Sequence, residues 1–301
     1  MTNQYRVFGL TVSSPLPLPA LAVPSGISSP ADIVISYGDT PAELSAPQVR
    51  GIRFQAAPGE FLLRVDDVAR FYVQGGYRIT ITPENGAHDN DLLPFLMGSA
   101  FGALLQQRRI LVLHASAIEA NDAAVVFCGP SGIGKSTLAA GFHRRGYRFL
   151  ADDLCAISLA HEQPAVFPGF PRLKLWADSL KRLDTSRDDL QCIRWGADLQ
   201  KFFLPAENRC EEPVVLRSVF ILNSTNSGRL ELTPVPGTEK VDPLIANSYR
   251  MRFLHGLGGK KEHFKLCATV AARARVCHVS RPQRGFLLEE LMDLLEGSFL
   301  A

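Results

Sequence analysis

The residues best suited to chemistry by type and spacing lie in a glycine-rich segment near the middle of the chain, at positions 129–136. The segment reads Gly-Pro-Ser-Gly-Ile-Gly-Lys-Ser and matches G-x-x-x-x-G-K-S, a pattern that binds nucleotide phosphates. Its glycines let backbone N–H groups turn toward phosphate oxygens, and the start of the following helix adds partial positive charge. Lys135 is expected to reach the outer phosphates, and the Ser136 hydroxyl can ligate Mg²⁺. The predicted phosphate-binding residues are Gly129, Ser131, Gly132, Ile133, Gly134, Lys135, Ser136 and Thr137.

Two adjacent carboxylates, Asp152 and Asp153, follow this segment at a short interval. An apolar stretch at 147–150 predicts a strand that runs directly into them. Strand ends and helix starts form one crevice in an open α/β sheet, so we expect both carboxylates beside the glycine-rich loop. The sequence does not order their roles. Asp153 could cap a following turn while Asp152 alone binds the metal.

The elements around the loop are those that the pattern requires. Residues 124–128 are apolar and predict a buried strand, and residues 138–145 predict a helix that Gly146 ends. This context makes a chance match in a glycine-containing turn the weaker interpretation. The sequence therefore predicts a strand–loop–helix unit that binds phosphates.

The rest of the chain suggests two domains, an N-terminal antiparallel β unit over 1–90 and a catalytic domain over 91–301. In the first, Pro58-Gly59 predicts a type II turn, Gly75-Gly76 a two-residue hairpin, and five prolines within 13–30 a surface loop. The strands expected there are 5–12, 32–37, 51–56, 60–65, 68–74 and 77–82. The elements expected later are helices at 91–108 (capped by Asp91), 178–183, 240–255, 260–274 and 285–296, and strands at 110–113, 214–223, 229–233 and 276–280.

Composition limits the classes of protein to consider. The chain has 301 residues, 46% of them hydrophobic and 21% charged, which is typical of a soluble globular protein. A net charge of +2 gives no general affinity for nucleic acid. The longest apolar run, 95–105, is too short to span a membrane, and no leader precedes the first strand. Six scattered cysteines without a C-x-x-C pair indicate reduced thiols. We expect a cytoplasmic protein with no nucleic-acid or membrane partner.

From His114 to Asp153 the chain resembles the catalytic domain of HPr kinase/phosphorylase, a family distantly similar to phosphoenolpyruvate carboxykinases. The resemblance rests on the glycine-rich loop, the close acidic pair and a Leu-His-Ala segment at 113–115. It implies an α/β fold (α+β over the whole chain) with the P-loop kinase core of that family, using ATP and Mg²⁺.

The same resemblance implies roles for individual residues. Asp152 would accept the proton of the attacking serine hydroxyl, while Asp153 and Ser136 would hold Mg²⁺. Lys135 would neutralise charge on the transferred group. His114 would lie beside Asp152 and orient it, although a lone histidine at a strand end is nearly as often a core residue.

At Pro130 and Thr137 the chain departs from the family, which usually has an acidic residue and a glutamate there. The glutamate–arginine–glycine signature after the second strand has no equivalent in this sequence. That segment is linked to the reverse reaction, so the resemblance supports the kinase reaction and gives no support for a phosphorylase.

A closer resemblance is to HPr-kinase-like enzymes found with lasso-peptide biosynthesis proteins, carried by segments 5–10, 113–117 and 171–175. It implies phosphorylation of the C-terminal serine of a precursor peptide, whose carboxylate requires cations in the pocket. HPr kinases are hexamers, so a homo-oligomer is possible. The candidate cations are Arg172, Lys174, Lys201, Arg250, Arg252, Lys260 and Lys261.

The alternatives to this interpretation stay open at the level of sequence. The basic run at 249–284 could be a solvated helix face, and it is poor in aromatic residues for RNA binding. A kinase of an HPr-like protein or of a small molecule uses the same catalytic residues. A nucleotide-sensing module without turnover is a third possibility, although a sensor needs no proton acceptor.

Overall fold

The computed structural model of the protein describes residues 2–18, 21, 30–161, 163–193, 200–226, 229–283 and 287–300. The contacts divide the chain into two units. The first unit comprises Met1–Val112 and Tyr249–His263, and the second comprises Leu113–Ser248 and Phe264–Ala301. The loop predicted at 13–30 lies mostly outside the described residues.

The strands and helices of the described residues are numbered in chain order. The strands are β1 (Asn3–Val7), β2 (Leu10–Ser14), β3 (Ile33–Tyr37), β4 (Val49–Arg50), β5 (Phe54–Ala57), β6 (Glu60–Val65), β7 (Ala69–Gln74), β8 (Arg78–Pro83), β9 (Leu111–Leu113), β10 (Ala115–Ala120), β11 (Ala123–Cys128), β12 (Arg148–Ala151), β13 (Cys155–His161), β14 (Gln163–Val166), β15 (Arg172–Trp176), β16 (Gln191–Ile193), β17 (Lys201–Pro205), β18 (Val214–Thr225), β19 (Glu231–Pro234) and β20 (Arg275–Pro282). The α-helices are α1 (Asp89–Phe95), α2 (Phe101–Gln107), α3 (Lys135–Arg144), α4 (Ala177–Arg182), α5 (Val241–Ala246), α6 (Met251–Leu257), α7 (Lys260–Arg273) and α8 (Leu288–Leu300).

The first unit contains a sheet in the order β1-β2-β3-β8-β7-β6-β5-β4. The expected antiparallel arrangement is only partly right, because β3 pairs in parallel with both β2 and β8. Long connections lead into and out of β3, and such crossovers permit parallel pairing. In β7 the alternate residues Ala69, Phe71 and Val73 are fully buried, which is the period of a strand with one packed face.

Two turns in this unit differ from the expectation, and one agrees with it. Gly59 has φ 77°, as the third position of a type II turn requires. The strand expected at 5–12 is two strands, because Phe8 and Gly9 both adopt positive φ and reverse the chain. The hairpin loop after β7 has three residues rather than two, since Gln74 pairs with Arg78.

The helix expected at 91–108 is longer and interrupted. It begins at α1 with His88 as its N-cap, and Asp91 instead accepts a hydrogen bond from the His88 N–H. Pro94 lacks an N–H group, and a π-helical turn, Leu96–Ala100, follows it before α2. These helices pack on β6 and β7, so the expected domain boundary between residues 90 and 91 lies inside the first unit.

The second unit confirms the mixed α/β class. Its main sheet contains the order β12-β10-β11-β18-β14-β13, with β20 paired to β18 and β19 paired to β20. Strand β10, which the sequence analysis missed, pairs antiparallel with both β11 and β12. Strands β11 and β12 therefore run in the same direction, and β18 and β20 run parallel to β11. The carboxyl ends of all four lie at one edge of the sheet, and β10 begins at that edge.

Helices α3 and α8 cover one face of this sheet. Phe142 of α3 stacks on Phe127 of β11 with ring centroids 5.5 Å apart, and it also contacts Phe299 of α8 at 5.6 Å. Fully burying a phenylalanine contributes about 2 kcal/mol to stability. At the C-terminal end of α3, the guanidinium of Arg145 forms ion pairs with three acidic residues of α8, Glu289, Asp293 and Glu296. These contacts fix α8 against α3.

The prediction of one continuous helix at 240–255 is wrong. The chain forms a 3-10 turn, Gly237–Lys240, then α5, and α6 begins only after Arg250 at φ 42°. The Asn247 carbonyl accepts a hydrogen bond from the backbone N–H of His114 at 2.8 Å, which draws it out of a continuous helix.

Other expectations are confirmed in outline. Helix α7 covers the predicted 260–274, and α8 covers most of 285–296, although residues 284–286 lie outside the described part. All six cysteines are free thiols, as expected. Across the described residues, no helix is long and apolar enough to cross a membrane.

Candidate active site

The glycine-rich segment forms a loop between β11 and α3. Every residue of β11 is buried, and the strand lies between β10 and β18. Helix α3 begins at Lys135, with Gly134 as its N-cap at φ 103°. Gly129 and Gly132 also have positive φ, 140° and 82°, a conformation that favours glycine. The strand–loop–helix unit predicted from the sequence is present.

One pocket of the second unit opens over this loop. Most of the residues predicted to act in the site line it; these are His114, Ser131, Gly132, Ile133, Gly134, Lys135, Ser136, Thr137, Asp152 and Asp153. The common edge of β10, β11 and β12 explains why they meet, because His114, the glycine-rich loop and the aspartates all lie at that edge. Gly129 lies at the base of the loop, where an added Cβ would come within 2.6 Å of the Leu222 carbonyl oxygen.

Lys135 is buried, and its ammonium is held by the loop itself. It donates hydrogen bonds to the carbonyls of Gly129 at 2.8 Å and Pro130 at 3.1 Å. Burial lowers its pKa from the usual value, and the charges of Asp152 and Asp153 partly offset that effect. The ammonium therefore stays in the loop through two carbonyl contacts that an anion could replace.

Asp152 is the centre of a hydrogen-bond network. Its Oδ1 accepts bonds from the hydroxyls of Ser136 at 2.7 Å and Ser116 at 2.6 Å, and its Oδ2 accepts one from the backbone N–H of Lys174 at 2.8 Å. Burial raises the pKa of this carboxyl, while the three donors act in the opposite direction. The carboxylate is thus joined directly to the serine at the start of α3.

Asp153 makes a different set of contacts. The Lys174 ammonium lies 2.6 Å from its Oδ2, and His114 Nδ1 lies 3.2 Å from its Oδ1. Burial raises the pKa of Asp153, but the charge of Lys174 and the hydrogen bond from His114 outweigh it and hold the pKa well below the usual value. These two partners favour the ionised form of Asp153, whose backbone has a left-handed φ of 70°.

These contacts correct one expectation about the site. His114 was expected beside Asp152, but it lies against Asp153 instead. The backbone at Asp153 is left-handed, and the two adjacent side chains share Lys174 but differ in their other partners. Asp153 and Ser136 were expected to hold Mg²⁺ together; the aspartate that accepts a hydrogen bond from the Ser136 hydroxyl is Asp152.

Oxygen donors of the kind that Mg²⁺ prefers lie beside the glycine-rich loop. Within the described residues, no cluster of three or more His, Cys, Asp or Glu side chains could hold a metal ion. Mg²⁺ prefers oxygen ligands and is commonly bound by one or two carboxylates together with substrate phosphates. The Ser136 hydroxyl and the Asp152 carboxylate supply oxygen donors beside a phosphate-binding loop, so they fit this ion.

The remaining predicted residues have identifiable contacts. The Thr137 hydroxyl donates to Ser179 Oγ at 3.0 Å. The Ile133 carbonyl accepts a hydrogen bond from Arg281 at 2.8 Å, which ties the loop to the end of β20. Arg281 was not singled out as a site residue from the sequence, and its position follows only from the parallel pairing of β18 and β20.

Of the seven cations expected to bind an acceptor carboxylate, two line the pocket, Lys174 and Lys201. Arg172 is buried, with its guanidinium 3.6 Å from the ring centroid of Phe203, and burial lowers its pKa to about 10. The other candidates are Arg250, Arg252, Lys260 and Lys261, all of the first unit. Arg284, at the end of the basic run, lies outside the described residues.

Comparison with solved structures finds similarity to the Hpr(Ser) kinase/phosphatase from Coxiella burnetii. The sequence identity is 13%, the TM-score is 0.36, and the match covers 63% of this chain and 90% of that chain. No protein-family model matches the sequence. No curated protein matches it either. The likeness is partial, and the function of this chain has to be read from its own residues.

Proposed function

We propose that the protein is an ATP-dependent kinase that transfers the γ-phosphate to a serine hydroxyl. The observation that carries this proposal is the convergence of Lys135, Ser136, Asp152 and Asp153 on one pocket at the glycine-rich loop. Phosphoryl transfer needs positioning and charge neutralisation more than covalent chemistry, and this set of side chains supplies both.

The loop receives the phosphates. Backbone N–H groups of the loop and of the start of α3 would donate to the phosphate oxygens, and Lys135 would exchange its bonds to the Gly129 and Pro130 carbonyls for bonds to the outer phosphates. A charge-assisted bond to phosphate is stronger than one to a neutral carbonyl, so this exchange favours the bound state.

Ser136 and Asp152 are the proposed ligands of Mg²⁺. Mg²⁺ held by this pair would neutralise charge on the β- and γ-phosphates. Hydrogen bonds from the Ser116 hydroxyl and the Lys174 backbone N–H hold the Asp152 carboxylate in place. This assignment departs from the expected order of the two aspartates, because the Ser136 hydroxyl bonds to Asp152.

Asp153 is the proposed proton acceptor for the serine hydroxyl. The serine oxygen forms a bond to the γ-phosphorus as the bond from that phosphorus to the bridging oxygen breaks, and the electron pair of the broken bond leaves with ADP. Asp153, oriented by His114 and Lys174, accepts the hydroxyl proton. The ionised state of Asp153 suits a proton acceptor, and a loose transition state requires only a weak base.

The acceptor proposed from the resemblance is the C-terminal serine of a lasso-peptide precursor. Cationic side chains in the pocket support an acceptor with an anionic group. A kinase of an HPr-like protein or of a small molecule, and a nucleotide sensor without turnover, are the competing outcomes. A cytoplasmic location and a homo-oligomeric state remain part of this proposal.

The test is an incubation with γ-labelled ATP and Mg²⁺ in the presence of matched acceptors. These are a peptide ending in serine with a free carboxylate, the same peptide amidated, a peptide ending in alanine, an HPr-like protein and a set of small hydroxy acids. Label on the free-carboxylate serine peptide alone is the expected result. Label on the HPr-like protein or a hydroxy acid alone would reject the peptide acceptor. A nucleotide-dependent rise in melting temperature without any transfer would indicate the sensor.

A further inference from the structure

Lys201 is a pocket lysine without an assigned role in the proposed phosphoryl transfer. It is the first residue of β17, paired in register with Trp176 of β15, and it lines the pocket together with Lys135 and Lys174. Lys135 is bound to loop carbonyls and Lys174 to Asp153. Over the residues that the structure describes, no oxygen accepts a hydrogen bond from the Lys201 ammonium, whose one assigned contact is the Trp176 ring at 4.3 Å.

A partly buried ammonium without a hydrogen-bond acceptor is unfavourable, because burial removes water that a ring contact only partly replaces. Burial indeed lowers the pKa of Lys201 from its usual value. The side chain is nevertheless held in place by the indole of Trp176. Such a cation, held against the indole and with no oxygen acceptor among the described residues, is suited to an anion that arrives with the substrate.

The surroundings of Lys201 indicate which anion. It lines the same pocket as Lys135, which is placed at the outer phosphates, and Asp153, which is placed at the acceptor. Lys201 therefore shares one pocket with both the phosphate side and the acceptor side of the site. The group that passes between these two sides is the phosphoryl group in transfer.

We infer that Lys201 binds the γ-phosphoryl group as it moves from the nucleotide to the acceptor. This inference rests on the proposed kinase function. Lys201 donates its N–H bonds to the non-bridging oxygens and forms no covalent bond, so the bonds made and broken are those already described. Charge spreads over these oxygens in the transition state, and a fixed ammonium beside them lowers the barrier.

The inference separates two nucleotides that differ by one phosphate. Calorimetric titration in Mg²⁺ would compare ADP with the non-hydrolysable ATP analogue AMP-PNP in the unaltered protein and in Lys201→Met. We expect the affinity for AMP-PNP to fall by about tenfold and that for ADP to stay within about twofold. Hydrolysis of ATP to water, measured in parallel, should slow by roughly 100-fold.

Two further variants control the result. Lys201→Arg keeps a cation over Trp176 and should recover part of the lost AMP-PNP affinity. Lys181→Met removes an exposed lysine from α4 in the same unit and should leave both affinities unchanged.

Three outcomes would overturn the inference. Equal loss of ADP and AMP-PNP affinity in Lys201→Met would assign Lys201 to the shape of the loop. Unchanged nucleotide affinity with a raised KM for the serine peptide would assign it to the acceptor carboxylate. If the unaltered protein bound neither nucleotide, the proposed kinase function would be overturned as well. This outcome distinguishes failure of the proposed function from failure of the Lys201 inference alone.

Discussion

The hydroxyl of Ser136 donates a hydrogen bond of 2.7 Å to the carboxylate of Asp152, while the neighbouring Asp153 is bound by Lys174 and His114. Lys174 bonds to both carboxylates, through its backbone N–H to Asp152 and through its ammonium to Asp153, but their other partners differ. Asp152 is joined to Ser136 at the start of the phosphate-binding helix, and Asp153 contacts His114. Their tasks in catalysis should differ accordingly.

Asn substitutions at the two positions should therefore have different kinetic signatures. In Asp152→Asn, the Mg²⁺ concentration for half-maximal transfer should rise by about tenfold, because a charged metal ligand is replaced by a neutral one. In Asp153→Asn, kcat should fall by roughly 100-fold with little change in the Mg²⁺ requirement. Steady-state rates over a range of Mg²⁺ concentrations measure both effects.

The exposed Asp178 of α4 offers a matched control, since Asp178→Asn removes a carboxylate from the same unit. It should change neither quantity. If the two signatures were exchanged between Asp152 and Asp153, the order expected from the sequence would be restored, with Asp152 as the proton acceptor and Asp153 as the metal ligand.

Gly129→Ala should damage both folding and nucleotide binding. The residue has φ 140°, and a Cβ would lie 2.6 Å from the Leu222 carbonyl oxygen, so the loop or β18 must shift. We expect the free energy of unfolding to fall by about 2 kcal/mol and nucleotide affinity to be lost. Denaturant titration and calorimetry measure the two effects.

Gly146→Ala is a control for Gly129→Ala, because it adds backbone strain at a position away from the phosphate-binding loop. Gly146 follows α3 at φ 96°, and an added Cβ would meet no atom within 4 Å. This variant should lose about 1 kcal/mol of stability and keep its nucleotide affinity. Equal affinity losses in both variants would show that the steric argument at Gly129 is wrong.

Tyr147 should report on the contact between α3 and α8 through its ionisation. Burial, the hydrogen bond to Glu296 and the charge of Glu296 together raise the pKa of its phenol to about 12, against a smaller opposing effect of the Arg145 charge. Because the folded protein holds this proton more tightly, the stabilisation is complete below pH 10. It is lost as the pH rises toward 12.

Phenolate absorbance measures this pKa when the Tyr147→Phe titration is subtracted from that of the unaltered protein. In Glu296→Gln the difference titration should move to lower pH, because a carboxylate no longer opposes the phenolate. A Tyr147 that titrates near 10.0 in the unaltered protein would contradict the contact.

The local parts of the site could be predicted from the sequence. The strand–loop–helix unit follows from an apolar run, glycine spacing and a lysine at the helix start, all within about twenty residues of each other. The position of Asp152 and Asp153 beside the loop follows from general rules for α/β sheets. Helix α7 was likewise predictable from its length and pattern.

The proposed division of roles between Asp152 and Asp153 could not be predicted. It depends on the left-handed backbone of Asp153 and on Lys174, which β15 brings in from a proline-containing stretch without a clear strand pattern. Strand β10 was missed because its alanine-rich sequence has weak strand propensity, although every residue in it is buried. The parallel pairing of β3 and the break between α5 and α6 depend on long-range contacts.

The central claim is that the loop at 129–136 binds the phosphates of ATP, and calorimetric titration with ATP in Mg²⁺ tests it most directly. The account predicts saturable binding at one site, lost in Lys135→Met because the ammonium for the outer phosphates is removed, and kept in Lys181→Met. Absence of binding by the unaltered protein, or equal affinity in Lys135→Met, would contradict it.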